Sequence, residues 1–322
     1  MVSLAGGRFR MGSDEQPDER PVHEREVAAF AIDVHPVTNA QFAVFVETTG
    51  YVTVAEHPLD PADFPGADPA DLLPGGLVFT PTDGPVDLRD WSRWWRWVPG
   101  ANWRFPFGPG RVDALADRAE HPVVQVSFAD ASAYAEWAGK RLPTEAEHEF
   151  AARGGLEGAR FAWGDEEFPR DDSHPDGRLM VNRWQGAFPY RNTGAAGFVG
   201  TSPVGTFPPN GYGLVDATGN VWEWTTEYYA PRHVVPVAAS GGGDHEASGT
   251  PDAPRAPDAG DRPSLLAASS AEPGSRIPRR VLKGGSHLCS PDYCLRYRPA
   301  ARSPQAEDTA TTHIGFRCAA DA

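Results

Sequence analysis

The chain has 322 residues, 40% of them hydrophobic, so it can bury one large core or two modest ones. Its formal net charge is −15 at pH 7, which argues against a nucleic-acid or phosphate surface because such surfaces need clustered Lys and Arg. Residues 1–12 contain no apolar secretion segment, and no stretch is long enough to span a bilayer. We therefore expect a cytoplasmic monomer that binds neither nucleic acid nor membrane.

Three short helices are predicted from their first residues. The segments 38–50, 127–139 and 144–153 each begin with Ser or Thr, followed three residues later by Gln, Asp or Glu. This spacing is typical of a capping box, in which the two side chains satisfy the first backbone N–H groups of the helix. Glycines follow each apolar run and predict where the helices end.

Strand signals are weaker and are followed by irregular sequence. Residues 7–12, 22–34 and 123–126 alternate enough to predict short strands. After residue 153 the helical period is absent, and aromatic segments are interrupted by Gly and Pro, of which the chain has 34 and 32. We predict one α+β domain over residues 1–322, with little regular secondary structure.

Two segments have the composition of insertions. Residues 58–90 are rich in Pro, Asp and Gly. Residues 236–280 consist mostly of Ala, Pro, Gly, Ser and Asp and have few large apolar side chains. Such a segment buries too little apolar surface to offset the entropy lost on ordering, so we expect mobile loops at both places.

The three cysteines all lie near the C-terminus, at Cys289, Cys294 and Cys318. Cys289 and Cys294 flank a Ser-Pro-Asp turn, which can bring their sulfurs together. The pair has three interpretations: a disulfide, which a reducing cytoplasm disfavours, a site for a soft metal such as copper(I), or two inert core residues. Structural zinc is disfavoured because no second Cys or His pair has zinc spacing.

The sequence around the pair favours a reactive or metal-binding role over that of inert core residues. Gly284-Gly285 permits close backbone approach, and Ser286 and Tyr293 lie beside the two cysteines. Arginines follow at positions 296, 298 and 302, and their charge would favour thiolate over thiol. The same arginines also suit ordinary surface or ion-pair roles.

A second polar cluster lies between residues 210 and 224. Asp216 and Glu223, separated by glycine-containing sequence, could supply oxygen ligands to a hard cation such as calcium. An acidic glycine-rich turn without a metal is the simpler interpretation.

Taken together, these segments resemble the formylglycine-generating enzyme, or sulfatase-modifying factor, family. The resemblance covers nearly the whole chain, and its specific part is the paired-cysteine element Gly-Gly-Ser-His-Leu-Cys289 to Tyr293-Cys294. It implies a single compact α+β domain related to C-type lectins. Further matching segments are 6–12, 121–124, 137–147, 182–189, 208–214, 219–224 and 315–320.

The resemblance implies an oxidase. Cys289 and Cys294 would bind copper(I), Ser286 would position oxygen or substrate, and Trp222 and Tyr293 would line the pocket. Dioxygen would be the co-substrate, and an external thiol would supply further electrons. The expected partner is an unfolded or nascent sulfatase segment containing Cys-x-Pro-x-Arg, whose cysteine becomes formylglycine.

The resemblance also implies two calcium sites. Asp216, Gly219, Val221 and Glu223 match one of them, with the glycine and valine acting through backbone carbonyls. A second set matches the other site, but the acidic pair usual there is replaced by Ala195-Ala196. The second set comprises Asn182, Arg183 and Phe198.

The sequence also suggests three alternatives to the oxidase. The main one is a non-catalytic sulfatase-binding paralogue of the same fold, which the retention of both cysteines, Ser286 and Trp222 disfavours. A sulfoxide synthase would need an additional helical domain with an iron-binding His cluster, and the histidines here are scattered. A calcium-dependent sugar-binding module is suggested by the lectin relationship alone, and fold does not carry function.

Overall fold

Short helices and small sheets are joined by long irregular connections in this computed structural model, which describes residues 1–64, 66–235 and 262–322. The helices in these ranges are α1 (Asn39–Thr49), α2 (Ala114–Asp117), α3 (Phe128–Trp137), α4 (Glu145–Arg153) and α5 (Arg262–Ser270). The strands are β1 (Val2–Leu4), β2 (Gly7–Met11), β3 (His23–Val27), β4 (Phe30–Ile32), β5 (Gly75–Phe79), β6 (Trp95–Pro99), β7 (Trp222–Tyr228), β8 (Arg279–Lys283), β9 (Arg302–Ala306), β10 (Ile314–Gly315) and β11 (Ala319–Asp321).

The three helices predicted from capping residues are confirmed as α1, α3 and α4. Thr38 Oγ1 accepts a hydrogen bond from Gln41 N at 3.3 Å, and the Gln41 side chain accepts one from Thr38 N at 3.0 Å. Helices α3 and α4 begin with the same box. Gly50 ends α1 with φ 69°, a left-handed conformation that glycine adopts without strain. None of the described helices is long and apolar enough to cross a membrane.

A four-stranded sheet in the order β10-β7-β8-β9 occupies the centre of the molecule. Strands β7 and β10 run parallel and the other pairs are antiparallel. The central strands carry fully buried Trp224 and Leu282, which pack with Phe316 in one large aromatic core. The sheet therefore holds two segments rigidly: the start of β7 and the loop that follows β8.

The prediction of a strand over residues 123–126 is wrong. Val123 N donates to Val37 O, whereas Gln125 N donates to Thr311 O, so the segment bonds two different parts of the chain. Gln125 also has φ 59°, which interrupts an extended conformation. The predicted strand over residues 22–34 is present as two strands, β3 and β4. Alternation thus located buried residues but not the hydrogen-bond partners that define a ladder.

The two segments with insertion-like composition contain regular structure. Residues 58–90 include β5, which pairs with β6 and buries Val78 at 3% exposure. In the 236–280 segment, residues 236–261 lie outside the described residues, while α5 and the start of β8 fall within 262–280. Leu265 and the alanines that follow it favour a helix, so a loop is a wrong prediction for this part.

Candidate active site

The loop after β8 brings the two predicted cysteines together. It starts at Gly284 and Gly285, which have φ 90° and 76°. A Cβ at Gly285 would lie 2.2 Å from Arg296 O, so glycine is required for the loop to pack against its own return segment. Ser286 N then donates to Cys289 Sγ at 3.4 Å, and Cys289 N donates to Ser286 O at 2.9 Å. The backbone thus fixes the orientation of the first thiol.

The Cys289 and Cys294 thiols interact closely enough for each to shift the pKa of the other. Burial raises the pKa of Cys289, whose residue is 2% exposed. The hydrogen bond donated by Cys289 lowers the pKa of Cys294 to about 7, and the backbone N–H of Arg296 contributes to this shift. The interaction therefore favours the thiolate of Cys294, which is the nucleophilic and metal-binding form of cysteine.

These thiols lie in a cleft of about 570 Å³ that also contains the other predicted site residues. Ser286 and Trp222 are buried and line it, and Tyr293 is 41% exposed at its wall. The Tyr293 ring stacks on Phe188 with centroids 4.6 Å apart and rings 6° from parallel. The structure therefore brings together in one cleft all five residues predicted for catalysis.

Several residues that line the cleft were missed by sequence reasoning. Trp94 contacts Tyr293 edge to face at 5.6 Å, and Trp95 packs on His313 at 4.8 Å. Burial lowers the pKa of His313 to about 3, so its imidazole is neutral at physiological pH. The tryptophan-rich run near residue 94 was a visible signal for an aromatic wall. Nothing local marked His313, which reaches the cleft because β10 pairs with β7 at Trp222.

The expectation that three arginines favour the thiolates is correct for one of them. Arg296 lines the cleft and acts on both cysteines by its charge. Arg298 is instead a buried partner of Glu19 at 2.5 Å, and Arg302 is a buried partner of Glu145 at 2.7 Å. The charges of both arginines are neutralised in ion pairs that join distant segments of the chain.

The cysteine pair fits a copper(I) ion by its donor set. Two interacting thiol groups, one with its pKa lowered to about 7, match a soft monovalent metal with low coordination number. Cys294 is partly exposed to the cleft. A further sulfur ligand from a bound molecule could therefore approach the same point.

The first predicted calcium set does not fit calcium as the structure arranges it. Arg317 donates from Nε to Glu223 Oε2 at 2.7 Å and from Nη2 to Glu223 Oε1 at 2.8 Å, and His148 Nε2 lies 3.0 Å from Oε2. Asp216 accepts from Gly205 N at 2.7 Å. A guanidinium thus occupies the carboxylate that a calcium ion would need. Among the described residues, no three His, Cys, Asp or Glu side chains are grouped to hold a metal.

Gly219 and Val221, the other two members of that set, belong to the same turn. Gly219 N donates to Gly284 O at 2.8 Å, and a Cβ at Gly219 would lie 2.6 Å from Asn182 O. The turn is therefore held by direct packing against the loop that starts at Gly284. This contact gives the glycine-rich sequence a structural role that needs no ion.

The second predicted calcium set is dispersed among internal partners. Asn182 Nδ2 donates to Gly200 O at 3.0 Å and to Ser202 Oγ at 3.1 Å. Arg183 forms an ion pair with Glu167 at 2.7 Å, and Phe198 forms an isolated β-bridge with Ala195. With alanines in place of the acidic pair, these residues present no carboxylate of their own to a cation.

Comparisons with known proteins agree with this arrangement. The sequence matches the sulfatase-modifying factor enzyme 1-like domain family over residues 1–322. It is 59% identical to a formylglycine-generating enzyme of Mycobacterium tuberculosis, over 100% of this chain and 97% of that protein. It is 41% identical to the inactive C-alpha-formylglycine-generating enzyme 2 of Mus musculus, over 100% of this chain and 86% of that protein.

A solved structure supports the fold independently. The structure of PvdO from Pseudomonas aeruginosa superimposes with a TM-score of 0.57 at 23% identity, covering 100% of this chain and 94% of that one. At this identity the likeness shows the fold alone. The match of the whole sequence, by contrast, is specific. The chain belongs to the sulfatase-modifying factor enzyme 1-like family, whose members include the formylglycine-generating enzymes.

Proposed function

We propose that this protein is a copper(I)-dependent oxidase that converts the cysteine of a Cys-x-Pro-x-Arg segment in a sulfatase into formylglycine. The observation that carries the proposal is the contact between the Cys289 and Cys294 thiols inside an open cleft. The 59% identity to a formylglycine-generating enzyme supports the same reaction. Dioxygen is the proposed oxidant, and an external thiol is the proposed second reductant.

The reaction balances with these co-substrates. One cysteine side chain, one dioxygen and two external thiols give one aldehyde, one sulfide, one disulfide and one water. The substrate loses two electrons and the two external thiols lose two, which together reduce dioxygen fully. Copper(I), when bound by Cys289 and Cys294, supplies the redox chemistry that allows dioxygen to react with a thiol-bearing carbon.

The chain's own residues bind and orient the substrate. The aromatic wall of Trp94, Phe188 and Tyr293 gives an extended peptide an apolar surface beside the thiols. Arg296 contributes positive charge that stabilises thiolate forms, including that of an incoming substrate cysteine. Asp18, which accepts from Arg296 at 3.2 Å, lines the same cleft and offers a carboxylate to the substrate arginine.

The alternative function is a non-catalytic sulfatase-binding protein. The 41% identity to a relative named inactive is the observation that keeps this possibility in view. The cysteine pair favours the oxidase, because a protein that only binds a peptide does not need two thiols that shift each other's pKa. The two functions differ in one measurable property, the appearance of an aldehyde.

An assay on a synthetic peptide tests the proposal. Purified protein is loaded with copper(I), given dioxygen and a thiol reductant, and the peptide is followed by mass spectrometry. We expect aldehyde formation by the parent protein and its loss in both Cys289→Ser and Cys294→Ser. A matched peptide with Ser in place of Cys controls for nonspecific oxidation.

Copper binding is measured on the same proteins by metal analysis after desalting. We expect about one copper per parent chain and a much lower content in each variant. Peptide binding without aldehyde by the copper-loaded parent would favour the non-catalytic alternative. Equal copper content in parent and variants would show that the ion binds elsewhere.

A further inference from the structure

A second cavity, of about 300 Å³, lies beside the active-site cleft. Its walls are formed largely by the side chains of Phe79, Val124, Trp184 and Leu288. Leu288 also lines the cleft, so this side chain separates the two spaces. The volume falls within the range of pockets that hold small organic molecules.

Arg118 is the only charged side chain among the residues that line this cavity. No carboxylate of the described residues lies within 4.0 Å of its guanidinium, although such pairs hold most buried arginines in this chain. Its single side-chain hydrogen bond, to Thr201 Oγ1, is long at 3.5 Å. The guanidinium otherwise lies over the Phe107 ring at 5.1 Å from the centroid.

The surroundings compensate the charge of Arg118 only weakly. Burial lowers the pKa of Arg118, and the charge of the exposed residue Asp117 offsets this effect only in part. Two imidazoles lie nearby, His121 at Thr201 and His287 in the cavity wall. Burial, together with the charge of Arg118, lowers the pKa of each to about 4, so both are neutral at pH 7. The cavity therefore carries one positive charge in apolar surroundings.

This arrangement is unusual for a chain with a net charge of −15. Acidic groups are abundant, yet no Asp or Glu lines the cavity. Leaving a partly buried charge unpaired costs free energy, and a bound anion removes that cost. Thr201 lies next to the guanidinium, and Asn192 adds a second polar side chain to the cavity wall.

We propose that this cavity is a binding site for a small organic carboxylate with an apolar body. The carboxylate would bind Arg118, whose planar donors match its two oxygens, and the apolar body would lie against Trp184 and Leu288. The site is separate from the cysteine pair and does not depend on the proposed oxidase function. Its ligand is a free small molecule, since a peptide bound in the cleft lies on the other side of Leu288.

The test uses phenylacetate as the probe and its uncharged analogue phenylacetamide as the matched control. Both are titrated by calorimetry into the full-length, metal-free protein. We expect saturable millimolar or tighter binding of phenylacetate, with the amide binding about tenfold more weakly because it lacks the charge. This comparison needs no variant and stands even if substitutions unfold the protein.

Variants then locate the ligand. Arg118→Gln should weaken phenylacetate binding about tenfold and leave phenylacetamide nearly unaffected, while Arg118→Lys should retain part of the preference. Arg296→Gln, which removes the arginine of the cleft, should leave phenylacetate binding unchanged. Equal affinity for the acid and the amide, no saturable binding of the acid, or a loss that follows Arg296 instead of Arg118 would each overturn the proposal.

Discussion

The cysteine cleft and the Asp216–Glu223 turn were both predicted from short motifs. They differ in how accessible their candidate ligand atoms are in the structure. In the cleft, the two thiols interact with each other, and Cys294 remains partly exposed. In the turn, both oxygens of Glu223 are occupied by Arg317 and His148. A motif can therefore serve as a metal site only where the fold leaves its ligand atoms accessible.

The largest expected effect comes from removing the internal cation of the turn. Arg317→Met keeps most of the side-chain volume but leaves the Glu223 carboxylate, which is 1% exposed, buried beside a neutral imidazole. Burial alone would raise the pKa of Glu223, and Arg317 with His148 outweighs it and holds the pKa at about 2. We expect a loss of about 3–5 kcal/mol in the free energy of unfolding, measured by urea denaturation.

A surface ion pair provides the control for that variant. Arg89 and Asp87 are bonded at 2.7 Å, but the Arg89 side chain is 91% exposed. Arg89→Met should leave the free energy of unfolding nearly unchanged, because solvent screens an exposed ion pair. If Arg317→Met cost no more than this, the turn would not depend on its internal charges, and a bound cation would again be a candidate for its stability.

The second prediction concerns the thiols of the metal-free cleft. Because the pKa of Cys294 is lowered to about 7, its thiolate dominates above pH 7, and its alkylation should slow about tenfold per unit below that pH. Cys289→Ala removes the hydrogen bond that is the main cause, so the pKa should rise towards its ordinary value near 9. Alkylation of Cys294 at pH 7 should then slow roughly 50-fold.

Iodoacetamide labelling followed by peptide mass spectrometry measures this rate at each cysteine. Cys289→Ser retains a hydroxyl donor and is the matched variant, for which a smaller slowing is expected. Cys318, fully buried in the core, serves as an unreactive reference within the same sample. An unchanged alkylation pKa in Cys289→Ala would show that the two thiols do not interact as the structure indicates.

The smallest expected effect is that of removing calcium. Because Arg317 already neutralises Glu223, dialysis against a calcium chelator should shift the melting temperature by no more than about 1 °C. Differential scanning fluorimetry with and without added calcium makes the comparison. A calcium-dependent rise of several degrees, with stoichiometric calcium by metal analysis, would show that an ion displaces the arginine.

Local sequence predicted the capped helices and the proximity of the two cysteines. Capping residues such as Thr38 act within one turn, so the beginning of a helix is visible in four consecutive residues. Spacing likewise predicted that Cys289 and Cys294 could meet, and the glycines before them explain how the loop packs. These features depend on interactions between residues that are close in the chain.

Other features depended on contacts between distant segments. Arg317 reaches Glu223 across 94 positions, and Arg298 reaches Glu19 across 279, so neither pairing leaves a local pattern. The alternating pattern at residues 123–126 predicted burial, but it did not predict which segments the backbone N–H groups would bond.

The sequence by itself determined the capped helices, the domain type and the paired thiols, because each follows from short-range geometry or from a specific motif. The tertiary structure alone decided which charged groups remained available. Both carboxylate oxygens of Glu223 are bonded to Arg317 or His148. Arg118, by contrast, lines an apolar cavity that contains no carboxylate among its lining residues. The physical reason is that a buried charge must be compensated, and its partner is chosen by the folded neighbourhood, not by its neighbours in sequence.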